Sequence, residues 1–430
     1  MRERLLPWFS ARIDKLILLC LMTFSGFLRF WRIDQPDKFV FDEVYFPVHA
    51  RNYLQGTRFF DSHPPLGKYL IAIGIRFFGF NPLGYRVMAA LAGILVILLI
   101  YQLGKRLFNS RPVAFLAALF ASLDGLLLVE SRAGLINIFA VLFSLAAYSL
   151  FLKSGEEIVE KPRWLYLAGA GVCVGAAAAV KWIGVASFGV ILVCYVATLV
   201  NRKWSWRARL LAPSANMRRI SNIHPSVILL CCIILPIALY CSTFVIHLNQ
   251  NPQFPFVELH KQMFGYHAHL KDGHGYASPW WSWPLLLRPV NYYWEVDPGT
   301  HQVRTILNLG NPILWWLALP AMMFSLWSAF FRREFGAQFA LLVMAVHYLP
   351  FALISRATFL YHFMGALPFA IILTASAFHK LWLLQGWRRE TAAGAILAII
   401  LAAIYFYPIW TALPIPVGAF YQRMWLTSWI

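Results

Sequence analysis

The sequence predicts an all-α membrane protein that crosses the bilayer about eleven times. Of its 430 residues, 60% are hydrophobic and only 13% are charged, whereas soluble domains carry about 25% charged residues. Apolar runs long enough to span a bilayer, about 17 to 22 residues each, recur along the whole sequence. No polar stretch between them is long enough for a soluble domain of useful size, so the sequence predicts one transmembrane domain over residues 1–430.

Hydropathy places the spans and leaves two long loops between them. With a cytoplasmic N-terminus, residues 34–83 form a first outer loop and residues 247–310 form a second outer loop. Residues 66–79 are apolar but too short to span, and we expect an amphipathic helix there that lies in the membrane interface. The predicted spans are 16–33, 84–103, 112–129, 133–152, 164–180, 183–200, 226–246, 311–330, 336–354, 359–379 and 392–410.

The distribution of basic residues supports this topology. The formal net charge is +19, which in a soluble protein would suggest a nucleic-acid partner. Here 21 of the 37 lysines and arginines, but only 7 of the 18 acids, lie in the short pieces predicted to be cytoplasmic, of which 201–225 is the most basic. Cytoplasmic loops of membrane proteins are enriched in Lys and Arg. The charge therefore reflects topology, and we expect no nucleic acid to bind.

Two adjacent carboxylates follow the first predicted span in the string FVFDEVYF. Asp42 and Glu43 stand there among large apolar side chains, next to the membrane surface, where desolvation raises the pKa of a carboxyl group. A general base needs such a raised proton affinity. On the residues alone, the alternative is a structural ion pair with a nearby arginine such as Arg51 or Arg58.

A second polar cluster follows in the string FFDSHPPLGKYL. Its consecutive prolines restrict the backbone to extended conformations, so Asp61, His63 and Lys68 are held in a set arrangement. A structural turn before a helix would explain the prolines but not the three polar side chains. We expect these residues to contact a substrate or to shape the loop.

Four basic residues lie at the outer ends of predicted spans, where the positive-inside rule does not explain them. A charge at such a depth is costly and is usually functional, although any single one could reach the headgroups by snorkelling. Because all four are on one side of the membrane, we expect them to gather around a phosphate group. They are Arg86, Arg132, Lys181 and Arg356.

The second outer loop is rich in histidine and in aromatic residues. The histidines are His260, His267, His269 and His274, and the aromatic residues are Trp280, Trp281, Trp283, Tyr292, Tyr293 and Trp294. The H-x-H spacing would suit zinc, but no cysteine or carboxylate completes a familiar ligand set. We predict no metal site and no firm cofactor, and leave a divalent cation open. The aromatic residues resemble a belt that anchors a loop among lipid headgroups.

Taken in order, these strings resemble the protein O-mannosyltransferase family, whose members use dolichyl- or polyprenyl-phosphate mannose and have the GT-C fold. The resemblance covers most of the chain. HPPLGK and WWSWPL separate this family from GT-C enzymes that modify lipid A or lipid-linked oligosaccharides. The matching strings are FDEVYF (41–46), DSHPPLGK (61–68), GYR (84–86), SR (131–132), VKWIG (180–184), SPWWSWPLLLRP (278–289) and YHFMGALPF (361–369).

The resemblance implies an eleven-span GT-C glycosyltransferase that moves mannose, with inversion, from a polyprenyl-phosphate donor to serine or threonine hydroxyls of secreted or membrane proteins. A hydroxyl becomes a good nucleophile when a base takes its proton, which would be the role of Asp42, with Glu43 orienting the acceptor or supporting its loop. Carried over by position, Arg86, Arg132, Lys181 and Arg356 would bind the donor phosphate. Asp61, His63, Lys68, His267, His274, Trp281 and Trp283 would border the acceptor or shape the loops.

Two features depart from the family pattern. The family has an acid shortly after the Ser-Arg pair, whereas this chain reads SRAGLIN and has Asn137 there. If that acid supports an arginine or the donor sugar in the family, the sugar donor can differ in this chain. The second outer loop is too short for the β-trefoil MIR module of eukaryotic members. That absence predicts a bacterial-type enzyme of the plasma (inner) membrane with its active site on the outer face.

Two other functions stay open on the sequence. Another GT-C transferase, with a different sugar or with a lipid or glycan acceptor, would share the acidic pair and the phosphate site. A transporter or flippase would account for the many spans and the intramembrane charges. Transporters show paired halves with broken helices, however, and the sequence contains no such halves.

Overall fold

Long helices joined by short turns make up most of the fold. The computed structural model describes residues 2–203, 220–269 and 273–430, so that most of the predicted cytoplasmic piece 201–225 lies outside the described residues. The helices are α1 (Arg2–Phe30), α2 (Phe46–Gln55), α3 (Leu66–Phe78), α4 (Pro82–Phe108), α5 (Arg111–Ser122), α6 (Gly125–Glu130), α7 (Asn137–Glu156), α8 (Glu160–Val180), α9 (Ala186–Lys203), α10 (Pro225–Gln250, with a π-helical turn at Leu230–Ile234), α11 (Phe256–His269), α12 (Pro312–Phe331), α13 (Phe335–Tyr348), α14 (Leu367–Leu383), α15 (Gly386–Trp410) and α16 (Val417–Arg423).

Every predicted span contains a helix. Within the described residues, eight segments are long and apolar enough to cross a membrane: Pro82–Phe108, Asn137–Glu156, Glu160–Val180, Trp182–Val200, Pro225–Gln250, Pro312–Phe331, Phe335–Leu353 and Gly386–Trp410. The shorter apolar helices α5 and α14 overlap two further predicted spans, and α1 overlaps the first. The chain is thus a mostly helical, multi-pass membrane protein, while the count of eleven crossings stays a prediction.

Short polar residues begin several helices, because their side chains accept hydrogen bonds from the first free N–H groups. Asn81 begins α4 by accepting from the backbone N–H of Gly84 at 2.9 Å. Asp124 begins α6 by accepting from the N–H of Leu127 at 2.9 Å. Asp124 also accepts from the indole N–H of Trp315 at 2.6 Å. One buried carboxylate therefore both starts α6 and attaches it to α12.

A small antiparallel sheet, which the sequence did not predict, has two of its three strands in the second outer loop. Strands β1 (Val290–Asp297) and β2 (Gln302–Asn308) form a hairpin, and β3 (Ile415–Pro416) pairs with β2. Asp297 closes the turn by accepting from the N–H of Gly299 at 2.9 Å, as Asp commonly does. The β-branched and aromatic string VNYYWEVD before this turn was the available signal for a strand.

The aromatic residues of this loop divide into two groups. Trp281 and Trp294 are 55% and 45% exposed, as expected for side chains that anchor a loop among headgroups. Trp283 and Tyr292 are instead buried. Trp283 stacks on His362 with ring centroids 5.9 Å apart, and it packs the loop onto the helices. The aromatic-belt prediction is therefore wrong for these two residues.

Helix α3 occupies the position where the sequence predicted a short amphipathic helix. It exposes Ile73 and Phe77 on one face and buries Ile71 and Ile75 on the other. Near its start, Gly67 lies so close to Ile136 and Val180 that a Cβ atom there would overlap the Ile136 side chain. This approach places the DSHPPLGK turn beside the start of α7 and the end of α8, where the candidate site lies.

Candidate active site

A cavity of about 510 Å³ lies among the loops that the sequence predicted to face outward. The first outer loop forms one wall, and the residue after α8, the end of α11 and the turns after α13 form the others. Its lining includes Asp42, Asp61, His63, Lys181, His267, His274 and Arg356, together with the rings of Phe41, Tyr45, Phe46, Phe60, Tyr266, Phe359 and Tyr361. The structure thus brings seven of the predicted site residues to one cavity.

Asp42 lies in the 3₁₀ turn Phe41–Val44. Phe41 has a φ angle of +45°, which is costly for a bulky side chain, and its ring stacks on Tyr292 with centroids 4.1 Å apart. Within the part of the chain that the structure describes, no group donates a hydrogen bond to the Asp42 carboxylate. Burial raises the pKa of Asp42, and the nearby charge of Lys181 opposes that rise. The carboxylate is therefore available to take a proton from a bound group.

Glu43, the next residue, faces the protein interior and pairs with Arg86. The two carboxylate oxygens accept from Nε and Nη2 of Arg86, both at 2.8 Å, and also from the N–H groups of Val40 at 3.0 Å and Gly134 at 2.7 Å. A structural ion pair was the alternative for the acidic pair. It holds for Glu43 alone, and its partner is neither Arg51 nor Arg58.

Arg86 has no donor left for a phosphate. Besides Glu43, its guanidinium donates to the backbone carbonyls of Ile33 at 3.0 Å, Pro36 at 2.8 Å and Lys38 at 3.0 Å. These bonds use all five N–H groups of a guanidinium, and the side chain is 1% exposed. The placement of Arg86 therefore contradicts the prediction that it binds the donor phosphate.

Arg132 is likewise occupied, at the C-terminal end of α1. Its Nη1 donates to the carbonyls of Leu28, Arg29 and Trp31, each at 2.9 Å, and its Nη2 donates to Arg32 at 3.1 Å. The last carbonyls of a helix lack intrahelical partners and favour a cation. Arg132 thus completes α1, does not line the cavity, and is not placed to bind a phosphate as predicted.

Lys181 follows the last residue of α8 and lines the cavity. Its ammonium donates to Oδ1 of Asn137 at 3.0 Å and lies 5.6 Å from the ring centroid of Tyr361. Burial lowers the pKa of Lys181 to about 8, and the charge of Asp42 partly opposes this. The side chain is therefore a partly buried cation whose only hydrogen-bond partner among the described residues is neutral.

Arg356 is the second cation of the cavity. Its Nη1 donates to Nδ1 of His267 at 2.9 Å, and Nε2 of His267 donates to the carbonyl of Ser62 at 2.9 Å. Because a guanidinium only donates, this assignment makes His267 a neutral imidazole. Burial, followed by the charge of Arg356, lowers the pKa of His267 to about 4. His63 lies beside it, with ring centroids 4.9 Å apart, and burial lowers the pKa of His63 well below its usual value.

Asp61 and Lys68 hold the proline turn in shape. Lys68 Nζ lies 2.8 Å from the Asp61 carboxylate and donates to the carbonyls of His63 at 3.0 Å and Pro64 at 2.5 Å. Asp61 also accepts from the N–H of His63 at 2.9 Å. Lys68 is fully buried and Asp61 is 3% exposed. Their contacts agree with the loop-shaping role, whereas the ring of His63 borders the cavity.

The remaining predicted residues differ in whether they line the cavity. His274 lines it and packs edge-on against Phe359. His260 instead hydrogen-bonds Tyr240 at 2.7 Å, Trp281 is exposed, and Trp283 is buried under the loop. The side chain of His269 lies outside the described residues. Within the residues described, no three His, Cys, Asp or Glu side chains form a group that could hold a metal ion.

One buried acid was missed by the sequence reasoning. Glu130, the last residue of α6, is fully buried and accepts from the hydroxyl of Tyr292 at 2.5 Å and the amide of Asn308 at 3.0 Å. Burial raises the pKa of Glu130 to about 7, although these hydrogen bonds oppose the rise. A glutamate in the apolar string LLLVESR was the available signal, because such a charge is costly at membrane depth.

Two family models match nearly the whole chain. One, described as dolichyl-phosphate-mannose-protein mannosyltransferase, matches residues 19–250. The other, described as the C-terminal four TMM region of protein-O-mannosyltransferase, matches residues 254–429.

Relatives of known name agree with these models. The chain is 28% identical to the polyprenol-phosphate-mannose--protein mannosyltransferase of Corynebacterium glutamicum, over 85% of this chain and 81% of that protein. It is 26% identical to the protein of the same name from Mycolicibacterium smegmatis, over 96% of this chain and 92% of that one.

Solved structures share the fold. The S. cerevisiae protein O-mannosyltransferase Pmt1-Pmt2 complex bound to the sugar donor matches with a TM-score of 0.82 at 17% identity, over 97% of this chain and 92% of that one. ArnT from Cupriavidus metallidurans matches with a TM-score of 0.61 at 15% identity, over 94% and 76%. The fold is therefore that of the GT-C transferases.

We expect Arg86→Met to destabilise the protein by about 3–5 kcal/mol, because it leaves the Glu43 carboxylate buried without its cation. Arg76→Met, at an exposed position on α3, is the matched control and should unfold like the wild type. Thermal and denaturant unfolding in detergent would measure the difference. Equal unfolding of both variants would contradict the structural role of Arg86.

Proposed function

Because the chain belongs to the dolichyl-phosphate-mannose-protein mannosyltransferase family, we propose that it transfers mannose from a polyprenyl-phosphate donor to serine or threonine hydroxyls of proteins. It is a glycosyltransferase of the membrane. The observation that carries the proposal is the charge arrangement of the cavity. A carboxylate with no ion-pair partner among residues 2–203, 220–269 and 273–430, Asp42, shares one cavity with two cations, Lys181 and Arg356.

Asp42 is the proposed general base. The proton of the acceptor hydroxyl moves to the Asp42 carboxylate while the hydroxyl oxygen attacks C1 of mannose. The bond between C1 and the phosphate oxygen breaks, and the polyprenyl phosphate leaves with that electron pair. Attack on the face opposite the leaving group inverts the configuration at C1. The raised pKa of Asp42, caused by burial, makes the carboxylate a stronger base.

Lys181 and Arg356 are the proposed partners of the donor phosphate. The leaving phosphate carries the negative charge that develops in the reaction, so cations fixed beside it stabilise the transition state. Both cations are oriented by neutral groups, Asn137 and His267. Their charges are thus available to the phosphate, and neither needs to give up a carboxylate partner.

An apolar cavity is the proposed site of the donor's isoprenoid chain. It has a volume of about 340 Å³ and is lined by α8, α10 and the segment that follows Lys181, including Trp182, Phe188, Pro236 and Tyr240. Trp182 directly follows Lys181 in the chain. A donor whose phosphate meets Lys181 could therefore extend its apolar tail past Trp182 into the membrane region.

The loops that line the main cavity are those predicted to face outward, which supports an active site on the outer face of the plasma membrane with a cytoplasmic N-terminus. A different GT-C transferase and a transporter were the alternatives. Neither is favoured, because both family models and the named relatives are protein mannosyltransferases.

We expect Asp42→Asn to lower transfer by about a hundredfold to ten-thousandfold while leaving the protein folded, because the amide keeps the size of the side chain but cannot take the proton. Asp37→Asn, at an exposed position of the same loop, is the matched control. The assay uses purified protein, radiolabelled polyprenyl-phosphate mannose and a peptide rich in serine and threonine. A peptide with alanine at those positions should stay unlabelled. Near-normal transfer by Asp42→Asn would refute the assignment of the base.

We expect kcat/KM to fall at both low and high pH. The acidic limb should lie above the ordinary aspartate value of about 3.9, because burial raises the pKa of Asp42 and the base must be ionised. The alkaline limb should begin near the Lys181 pKa of about 8, where the ammonium loses its proton. Lys181→Arg keeps its charge, so it should remove the alkaline limb. If that limb is unchanged in Lys181→Arg, Lys181 is not its source.

We expect Arg356→Ala to raise the donor KM by about tenfold or more, because a charge-assisted contact is worth about 1.5–3 kcal/mol. The acceptor KM should change less. Arg76→Ala, which removes an exposed arginine on α3, serves as the control. A donor KM equal to that of the wild type would exclude Arg356 from the phosphate site.

A further inference from the structure

Behind the cavity wall, a chain of hydrogen bonds joins a buried carboxylate to Lys181. Asn137 donates its Nδ2 to Oε2 of Glu130 at 3.1 Å, and its Oδ1 accepts from Nζ of Lys181 at 3.0 Å. The other oxygen of Glu130 is held by Tyr292 and Asn308. Glu130 is fully buried and does not line the cavity, so its link to the site runs through Asn137.

The polarity of the Asn137 amide is determined at both ends. A carboxylate only accepts hydrogen bonds and an ammonium only donates them. The amide must therefore turn its NH₂ group toward Glu130 and its oxygen toward Lys181. The reversed amide would set acceptor against acceptor on one side and donor against donor on the other. The charge of Glu130 thus decides which end of Asn137 faces Lys181.

We propose that Glu130 is a positioning residue for the transfer reaction and acts through Asn137 on Lys181. The inference rests on the proposed function, in which Lys181 meets the donor phosphate. Asp42 and Lys181 line the same cavity, and opposite charges in a site of low dielectric attract strongly. Without its hydrogen bond to Asn137, the Lys181 ammonium would move toward Asp42. There it would lower the basicity of the Asp42 carboxylate, and it would no longer be placed to bind the donor phosphate.

The first test is Glu130→Gln, assayed for mannosyl transfer over a range of polyprenyl-phosphate mannose concentrations. The glutamine oxygen can still accept from Tyr292 and Asn308, so the sheet stays attached to α6. Its NH₂ group then faces the NH₂ group of Asn137, which must turn over and present a donor to Lys181. We expect the donor KM to rise about tenfold, with a smaller change in the acceptor KM. Glu258→Gln, at an exposed position on α11, should leave both unchanged.

A compensating variant separates positioning from folding. In Glu130→Gln combined with Asn137→Asp, the glutamine NH₂ group can donate to the new aspartate, and the aspartate can accept from Lys181. Every group again has a matched partner. We expect the donor KM to recover part of the way toward the wild-type value, because the hydrogen-bond geometry is restored while Lys181 now faces a carboxylate. A role of Glu130 limited to the stability of α6 and the sheet would not be restored by a change at residue 137.

The binding step is measured separately by the thermal stabilisation that polyprenyl phosphate gives each purified variant in detergent. The proposal expects weaker stabilisation in Glu130→Gln and recovery in the double variant. An unchanged donor KM in Glu130→Gln, or a loss that the double variant does not recover, would overturn it. Failure of the wild type to label the peptide would instead refute the proposed function, while the polyprenyl-phosphate measurement would still test the link to Lys181.

Discussion

The buried ion pair between Glu43 and Arg86 is the contact on which the rest of the site depends. Arg86 stands in the first turn of α4 and binds three carbonyls of the loop that leaves α1. Glu43 binds Arg86 and also the N–H of Gly134, between α6 and α7. Three separate segments therefore meet at two side chains. Because removal of either partner would leave a buried charge, the loop has little freedom to take another path.

The fixed position of Glu43 determines what its neighbour can do. Successive side chains of a 3₁₀ turn point in directions about 120° apart, so a Glu43 that faces inward leaves Asp42 facing the cavity. Phe41 adopts a left-handed conformation on the other side and is held by its stack on Tyr292. Two adjacent carboxylates thus have opposite roles. One is saturated by four donors and holds the loop, and the other, which accepts no hydrogen bond from the described residues, is a candidate base.

The sequence predicted the helices and seven of the polar residues that line the cavity, because these follow from hydropathy, proline positions and charges at the ends of spans. It did not separate the cations by role. Arg86, Arg132, Lys181 and Arg356 were all predicted at the same ends of spans, but that position does not say which way a side chain points. The carbonyls that occupy Arg86 and Arg132 belong to the end of α1 and the loop after it, and their positions exist only in the folded chain. Glu130 was missed for the same reason, since two of its partners, Tyr292 and Asn308, come from a distant part of the chain.

The cations in and near the cavity form two groups, which differ in whether the hydrogen-bond partner of the cation is charged or neutral. Lys68 and Arg86 each have a carboxylate partner, Asp61 and Glu43, and both are structural. Lys181 and Arg356 are held by neutral groups, an amide and an imidazole. A neutral partner orients a cation without cancelling its charge, and a partly buried cation acts on a phosphate more strongly than one in bulk water. Burial keeps His267 neutral. A positive charge on His267 would repel Arg356 from its position. The same desolvation that makes these groups costly to bury therefore gives the cavity its capacity to bind a phosphate beside a base.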